Sequence, residues 1–285
     1  MTLLSAVCDC AHPLPRVTII TTTLNAESGL PSTVASLRAQ RDRGFEWIVV
    51  DAGSTDGTIA CLESARDVVS VVVTSPGVGI AAGWNTGVHW ATGEWLLFLG
   101  AGDELGSPEL LGNMAQFLDT AYPRHTMVHG RIALIEQGSR RQLELRGEPV
   151  DVFSGRWALF RPELPVHPEV FHHRSLFDAG ERFDTHYRYA SDTDFLLRQA
   201  LRKRFLFVPL TVARMEFGGI TGQLQNLRAV SLETRDIAER YGFHAPLLHR
   251  CKQHSKLWIA DRLAQFLPAS ALRWIEQHWR RWRVF

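Results

Sequence analysis

Several features that mark particular classes of protein are missing from this chain. Its four cysteines, Cys8, Cys10, Cys61 and Cys251, are too scattered for a zinc site, and free thiols in a reducing compartment are the simpler interpretation. The mildly apolar amino terminus has no basic start and no apolar run long enough for a signal peptide, and nothing approaches the ~20 residues of a membrane span. The formal net charge is only +1, so no overall field favours nucleic acid. These absences predict a cytoplasmic protein that does not bind nucleic acid.

What the chain does contain is a regular alternation of apolar runs and helical patterns. Its 285 residues are 45% apolar, enough for one sizeable core. Four short runs are apolar on both faces, as strands buried beneath helices are: residues 17–20, 47–51, 68–73 and 95–99. Helical patterns lie between them, at residues 30–40, 58–65 and 80–91. This alternation predicts an open α/β sheet with ligands outside the carboxyl ends of its strands.

After residue 120 the spacing of the pattern changes. The predicted elements are a strand at 127–135, a returning strand at 140–145, a long loop at 147–165, a strand at 166–172, a helix at 191–201 and a strand at 205–215. From Gln223 onward the pattern is helical, with breaks near Gly242, Pro246 and Pro268. We therefore divide the chain into a tail at 1–15, an α/β domain at 16–222 and a helical region at 223–285.

Two familiar nucleotide-binding sheets do not fit. A dinucleotide-binding half needs Gly-x-Gly-x-x-Gly directly after the first strand, where this chain has TTTLNAESG. A phosphate-cradling loop ending in Gly-Lys-Ser/Thr is also missing.

A different family is indicated by several blocks in a fixed order. The blocks are RVTIITTTLN at 16–25, EWIVVDAGSTDGT at 46–58, SPGVGIAAGWNTGVHWATGEWLLFLGAGDEL at 75–105, VHPEVFHHRSLFDAGERFDTHYRYASDTDFLLR at 166–198 and GGIT at 218–221. Together they resemble the family 2 glycosyltransferases, the inverting enzymes with the GT-A fold, and most of all the branch that builds bacterial surface and extracellular polysaccharides. The resemblance implies a mostly parallel sheet flanked by helices, here with a C-terminal helical extension. It also implies transfer of a sugar from a nucleotide-diphosphate donor, most often a UDP-sugar, to a hydroxyl of a surface polysaccharide or lipid-linked oligosaccharide.

The nucleotide site is expected at the strand ends. Asp51 ends a buried strand and is followed by small residues, so its carboxylate can accept the N–H of a uracil; the family gives it this role, and the alternative is that it caps the next turn. Asn85 lies inside a helix, where its propensity is poor, so it makes a specific bond, either structural or to the ligand. The other residues that we assign to this site are Thr22, Thr23, Asn25, Gly53, Gly79 and Gly102. For the threonines and Asn25 the alternative is ordinary turn chemistry, whereas Gly79 precedes a helix with free amides.

The metal site departs from the family pattern. The resemblance implies that Asp103 binds Mn²⁺ or Mg²⁺, but Ala82 and the run Gly100-Ala101-Gly102 replace the further acidic residues that are common in the family. One carboxylate can suffice when phosphate oxygens and water complete the shell. Otherwise side-chain cations balance the charge of the diphosphate in place of a metal, or the site is degenerate. A structural alternative for Asp103 is that it caps a helix near 108–118. The suspected cations are Arg131, Arg156, Arg161, Arg174, His167, His172 and His173.

The catalytic base is assigned to Asp192, which matches the family's catalytic aspartate in YASDTDFLLR. Its alternative is a favourable position in the first turn of a helix. Asp194 completes Ser191-x-x-Asp194, which is typical of a capping box, so we interpret it mainly as structural. His167, Asp194 and Arg198 are kept as residues on the acceptor or phosphate side, although a lone histidine is more often packed. Adjacent His172 and His173 are expected to face opposite ways on a strand.

The end of the chain, ALRWIEQHWRRWRVF, has apolar residues at helical spacing with arginines mostly beside them. This segment either lies on a membrane surface, at the inner face of the cell membrane, or packs on the protein or another subunit. Two other functions remain open. One is a non-catalytic sugar-nucleotide-binding or scaffold protein, because carboxylates are few; the other is a nucleotidyltransferase, disfavoured because its Gly-rich, basic first loop is missing.

Overall fold

The computed structural model describes residues 2–6, 15–136, 138–216 and 223–266. The predicted boundary at residue 222, the Gly-Gly-Ile-Thr block at 218–221 and the helix at 271–285 lie outside the described residues. The chain divides into two compact units. The first comprises the described parts of Met1–Val150, Pro165–Arg188 and Lys203–Glu216, and the second comprises those of Asp151–Leu164, Tyr189–Arg202 and Phe217–Phe285.

Strands in the described residues mostly follow the apolar runs of the sequence. They are β1 (Thr2–Ala6), β2 (Val17–Thr23), β3 (Phe45–Asp51), β4 (Val71–Thr74), β5 (Trp95–Phe98), β6 (Glu104–Leu105), β7 (Met127–Ile135), β8 (Gln142–Arg146), β9 (Trp157–Ala158), β10 (Arg161–Pro162), β11 (Val170–His173) and β12 (Leu206–Glu216). All but β9 and β10 form one sheet in the order β1-β4-β3-β2-β5-β11-β7-β12-β6, with β8 beside β7. Strands β4, β3, β2 and β5 pair in parallel, as do β7 and β12. The other pairs in this sheet are antiparallel.

Helices occupy the intervals between the strands and the end of the described chain. They are α1 (Leu30–Arg38), α2 (Thr58–Ser64), α3 (Ile80–Trp90), α4 (Leu110–Ala121), α5 (Ser175–Asp178), α6 (Ser191–Ala200), α7 (Leu224–Arg240) and α8 (Leu247–Phe266), with a short 3₁₀ helix at His167–Glu169. None of the helices in the described ranges is long and apolar enough to cross a bilayer.

The core of the first unit explains the placement of α1 and α3. Apolar residues of α1 recur at Leu30, Val34 and Leu37, one face of a helix, and all three are buried against the sheet. Helix α3 approaches β2 very closely because its facing residues are glycines. A Cβ added to Gly83 would lie 2.7 Å from the Thr22 methyl group, and one added to Gly87 would overlap the Ile20 methyl group. The beginning of α3 is thereby held close to the sheet.

Two predictions for the second half of the chain are corrected. The strand predicted at 166–172 begins only at Val170, because Val166 to Glu169 form a 3₁₀ turn. Pro168 has no amide to give to a strand, and the Glu169 carboxylate accepts the Val166 amide at 2.9 Å. The predicted loop 147–165 contains the short antiparallel pair β9 and β10.

The second unit contains that pair together with α6, α7 and α8. Helices α7 and α8 pack through Leu227, Leu257 and Ala260, with Leu159 against the same cluster. The breaks predicted near Gly242 and Pro246 are confirmed, because α7 ends at Arg240 and α8 begins at Leu247.

Candidate active site

Asp51 holds the loop that follows β3. It is 1% exposed, and its carboxylate accepts four hydrogen bonds. Oδ1 accepts the hydroxyls of Thr23 at 2.9 Å and Ser54 at 2.5 Å, and Oδ2 accepts the amides of Gly53 and Ser54, both at 2.9 Å. A carboxylate has about four lone-pair positions, so these donors fill it. This geometry favours the interpretation of Asp51 as a turn cap over a direct contact with a base.

The loop after β2 is tied to the loop after β3. Asn25 adopts a left-handed conformation, with φ 52°, and its side-chain oxygen accepts the Thr55 amide at 2.9 Å. Its own amide donates to the Ser54 hydroxyl at 2.9 Å. Gly53 has φ 97°, which only glycine adopts without strain. The structure therefore brings Thr23, Asn25, Asp51 and Gly53 together, and Thr22 remains partly exposed beside them.

Helix α3 begins directly after Gly79. Apart from Gly79 and its chain neighbours, no atom lies within 4 Å of a Cβ built on Gly79, so the space beside this residue is open. Asn85, one and a half turns later, uses both ends of its amide on the backbone of Phe183: Nδ2 donates to the carbonyl at 2.9 Å, and Oδ1 accepts the amide at 3.0 Å. The specific bond expected of Asn85 is therefore a structural one, and its assignment to the nucleotide site loses support.

The loop after β5 carries Asp103. Gly102 has φ 105° and its amide donates to the Thr33 hydroxyl at 2.9 Å, which anchors the loop to α1. Asp103 is half-buried, and its Oδ2 accepts the Gly100 amide at 3.2 Å. Burial raises the pKa of the Asp103 carboxyl to about 7, although the Gly100 amide opposes the shift. Helix α4 begins only at Leu110, so Asp103 does not cap it.

A charged cluster next to Asp103 was not found from the sequence. Arg140 forms ion pairs with Glu104, at 2.5 Å, and with Glu216. Arg214 reaches the second oxygen of Glu104 at 3.1 Å. The two oxygens of the Glu104 carboxylate are thus paired with two arginines. Arg140 lies in the turn between β7 and β8, in a part of the sequence that matches no family motif. Nothing in the sequence around Arg140 therefore predicts that it pairs with Glu104.

A metal site made by protein side chains alone is not seen in the described part of the chain. No three His, Cys, Asp or Glu side chains are grouped there in a way that could hold an ion. Asp103 therefore offers one carboxylate, and the neighbouring acids are paired with arginine.

The histidines near β11 are packed in the core. His167 is 3% exposed, stacks on Phe98 at 4.9 Å between ring centroids and meets Trp84 at 4.6 Å. Burial lowers its pKa well below the usual range, and the His172 charge acts in the same direction. His172 also contacts Phe98, whereas His173 stacks on Tyr122. These contacts agree with opposite orientations for the adjacent pair, and they favour the packed interpretation of His167 over a ligand contact.

Asp192 opens α6 in the second unit and is partly exposed. Its Oδ1 accepts the Thr193 amide at 2.6 Å. Burial raises the pKa of the Asp192 carboxyl, and the charge of Arg161 partly offsets this. Arg161 donates to the Pro162 carbonyl at 3.0 Å, while its Nε has no acceptor among the described residues. An arginine on β10 thus acts through its charge on a carboxylate of α6.

Asp194 has a structural environment, but the predicted capping box is wrong. The residue before the helix is Ala190, and the Ser191 hydroxyl finds no partner within the described ranges. The Asp194 carboxylate accepts the Tyr241 hydroxyl at 2.9 Å and pairs with Arg198 at 3.3 Å. Asp194 therefore joins α6 to the residue after α7, Arg198 pairs with it within α6, and the assignment of both residues to the acceptor side loses support.

Comparison with known proteins identifies the family. The model of glycosyl transferase family 2 matches residues 18–172, more than half of the chain. The chain belongs to glycosyl transferase family 2. An uncharacterised glycosyltransferase of Mycobacterium tuberculosis (strain CDC 1551 / Oshkosh) is 30% identical over 234 residues, which cover 80% of this chain and 86% of that protein. A PGL/p-HBAD biosynthesis glycosyltransferase of Mycobacterium bovis (strain BCG / Pasteur 1173P2) is 29% identical over 238 residues, 78% of this chain and 86% of that one.

Solved structures confirm the GT-A fold of this glycosyltransferase. Staphylococcus aureus TarS 1-349 in complex with UDP-GlcNAc superposes with a TM-score of 0.58 at 20% identity, covering 88% of this chain and 73% of that one. The mannosyltransferase PcManGT from Pyrobaculum calidifontis, in complex with GDP-Man and Mn²⁺, gives a TM-score of 0.57 at 18% identity, covering 93% and 80%. The predicted enzyme class and fold class are confirmed.

Proposed function

We propose that this glycosyltransferase moves a sugar, with inversion, from a UDP-sugar to a hydroxyl of a surface polysaccharide or lipid-linked oligosaccharide. The observation that carries the proposal is the set of loops at one edge of the parallel strands. Loops after β2, β3 and β5 all leave from carboxyl ends, where ligands of open α/β sheets bind. Support for the donor comes from the solved neighbours, one bound to UDP-GlcNAc and one to GDP-Man.

The donor pocket is formed by backbone and small residues more than by free carboxylates. Asp51 fixes the β3 loop from inside, and Asn25 fixes the β2 loop against it. Gly53 and Thr22 then present surface on which a nucleotide can lie. The open space beside Gly79 suits phosphate oxygens, since the first amides of a helix have no partner within the helix.

A divalent metal fits this site only together with the donor. Asp103 would hold it, and the donor diphosphate and water would provide the other oxygens that Mg²⁺ or Mn²⁺ requires. When bound, the metal neutralises charge on the departing diphosphate. Because the neighbouring acids Glu104 and Glu216 are paired with Arg140, we expect weak metal binding without donor.

Asp192 is the residue that we assign as the base. In the proposed step its carboxylate takes the proton from the attacking acceptor hydroxyl. The acceptor oxygen forms a bond to the anomeric carbon as the bond from that carbon to the phosphate oxygen breaks, and UDP leaves. Arg161 helps to keep Asp192 ionised, because its positive charge lowers the pKa that burial raises.

The proposal is tested by donor turnover with and without Mn²⁺, using UDP-sugars and a panel of lipid-linked and free glycan acceptors. We expect release of UDP that depends on acceptor and is stimulated by the metal, with the product in the opposite anomeric configuration. Tight UDP binding without any turnover would instead indicate a non-catalytic binding protein. Formation of pyrophosphate from a nucleoside triphosphate would indicate a nucleotidyltransferase.

A further inference from the structure

We propose that the outward face of α8 docks on a membrane surface that carries anionic lipids. This face consists of Leu247, Leu248, Cys251, Lys252, Ser255, Trp258, Ile259, Arg262, Gln265 and Phe266, all of them exposed. The proposal concerns a surface of the second unit and goes beyond the transfer reaction.

The two faces of α8 are clearly distinct. The inward face contributes Ala260, which is 2% exposed, and Gln253, which is 8% exposed. Leu257 on the same side packs with the α7 residue Leu227. This contact already holds the helix to its unit, so the outward face is not needed for that packing.

The outward face is apolar to an unusual degree. Leu248 is 85% exposed, Phe266 71% and Trp258 61%. Five of the twelve large apolar side chains that are exposed in the described residues belong to α8, including Leu247 and Ile259. Leu248, Ile259 and Phe266 stand 11 and 7 residues apart, close to whole turns of 3.6 residues, so they lie along one line. Leaving such a line in water is unfavourable, which indicates a partner.

The charge on the helix indicates the nature of that partner. The α8 sequence has four Lys or Arg residues and a single acid. Lys252 and Lys256 are one turn apart, and burial together with the charge of Lys252 lowers the pKa of Lys256. The Arg262 guanidinium lies over the Trp258 ring, 5.6 Å from its centroid. Of these four cations, Lys252 and Arg262 belong to the outward face, where they can meet anionic headgroups beside the apolar side chains.

A bilayer fits these features better than a protein groove does. A helix that lies in the membrane interface carries Trp, Phe and Leu on one face with Lys and Arg beside them. At 1.5 Å per residue α8 is about 30 Å long, and it is not apolar enough to span a bilayer. The sequence after α8 continues with tryptophans and arginines, which extends the same composition toward the end of the chain.

The test is vesicle co-sedimentation of the full chain without donor or acceptor, so its outcome does not depend on the proposed transferase reaction. The variant Leu248→Glu/Phe266→Glu places two charges on the outward face of α8. The control Leu145→Glu/Leu232→Glu adds the same charge at exposed leucines of β8 and α7. Thermal melts followed by circular dichroism establish that both variants fold.

We expect the wild type and the control to pellet with vesicles of phosphatidylcholine and phosphatidylglycerol, and to be released by salt. The α8 variant should partition at least about tenfold more weakly. Equal pelleting of the two variants would overturn the proposal, as would equal binding to phosphatidylcholine alone or no binding by the wild type. If sedimentation velocity shows a wild-type dimer that the α8 variant breaks, the face covers a second copy of the chain and the membrane assignment is wrong.

Discussion

Single residues in this protein take their roles from their immediate surroundings. Asp51, Asp103, Asp192 and Asp194 are four aspartates at family positions, yet each has a different environment. The Asp51 carboxylate accepts hydrogen bonds from donors of its own loop and its neighbouring strand. Asp103 is buried beside an ion-pair cluster. The Asp194 carboxylate accepts a hydrogen bond from the Tyr241 hydroxyl. Asp192 has a raised pKa and partial exposure, as Asp103 has, but the charge that offsets its shift comes from Arg161 on β10. The sequence motif could name all four, but it could not distinguish their roles, because these depend on donors from distant segments.

At the residue scale, Arg161→Met should shift the pH profile of turnover. The Arg161 charge lowers the Asp192 pKa, so its removal raises that pKa further and moves the acid limb of kcat to higher pH. Arg161→Lys keeps the charge and should restore the limb most of the way. The measurement is kcat against pH for the three proteins, and an acid limb that stays in place in Arg161→Met would contradict the assigned pair.

Asp51→Asn should weaken the fold. An asparagine can accept at only one of its two ends, so two of the four donors would face an NH₂ group. We expect a loss of about 2–4 kcal/mol in the free energy of unfolding, measured by urea denaturation. The exposed Asp67→Asn, which loses only a surface ion pair with Arg38, should cost less than about 1 kcal/mol. Unchanged stability in Asp51→Asn would mean that the base contact, not the turn, explains this residue.

Elements of the first unit were predictable where the hydrophobic pattern alone decides them. The parallel strands and α1 to α3 appear near their predicted positions because their apolar residues repeat with the periods of strand and helix. The strand predicted at 166–172 was wrong in its first part and begins only at Val170, because Pro168 and the Glu169 carboxylate close a turn before it. Side-chain hydrogen bonds of this kind are specific to one site and leave no periodic signal.

At the element scale, Gly87→Ala should separate α3 from β2. Its new methyl group would overlap the buried Ile20 methyl group, which cannot move aside. We expect a net loss of about 1–3 kcal/mol in stability, even though alanine favours helix by nearly 1 kcal/mol. Gly79→Ala meets no atom within 4 Å and should leave stability nearly unchanged. Equal melting temperatures for the two variants would contradict the close approach of helix and strand.

Glu169, at the end of the 3₁₀ turn, should make the free energy of unfolding depend on pH. Burial raises its pKa to about 8, so the folded protein keeps a proton that the unfolded chain releases above its ordinary pKa of 4.5. Stability is therefore lost as pH rises from the ordinary pKa toward 8, by about 1.4 kcal/mol per pH unit at most. The buried histidines have lowered pKa values, so their contribution to the slope ends near pH 6.5.

The measurement is the free energy of unfolding by urea between about pH 6.5 and pH 8. Glu169→Gln keeps the oxygen that accepts the Val166 amide but cannot ionise. It should remove most of the slope, leaving the part that comes from the raised pKa values of Asp103 and Asp192, and increase stability near pH 7.5 by about 3–4 kcal/mol. A slope that persists unchanged in this variant would show that another group is responsible.

At the scale of the whole molecule, the chain forms two units with different chemistry. The first contains the candidate donor loops and Asp103, and the second contains Asp192, Arg161 and the apolar face of α8. The family and the fold were predictable because the motifs of the first unit are contiguous in sequence. The Arg140 cluster and the α8 face were not, because the first joins three distant segments and the second appears only when exposure is known.

The most direct test of this account is the comparison of donor binding and transfer in Asp192→Asn, with the exposed Asp236→Asn as a matched control in the same unit. We predict that the Kd for the UDP-sugar stays within about twofold while turnover falls by at least about 10²-fold, because a base is lost and the donor site is untouched. The control should transfer like the wild type. Wild-type turnover in Asp192→Asn, with donor binding intact, would contradict the central claim.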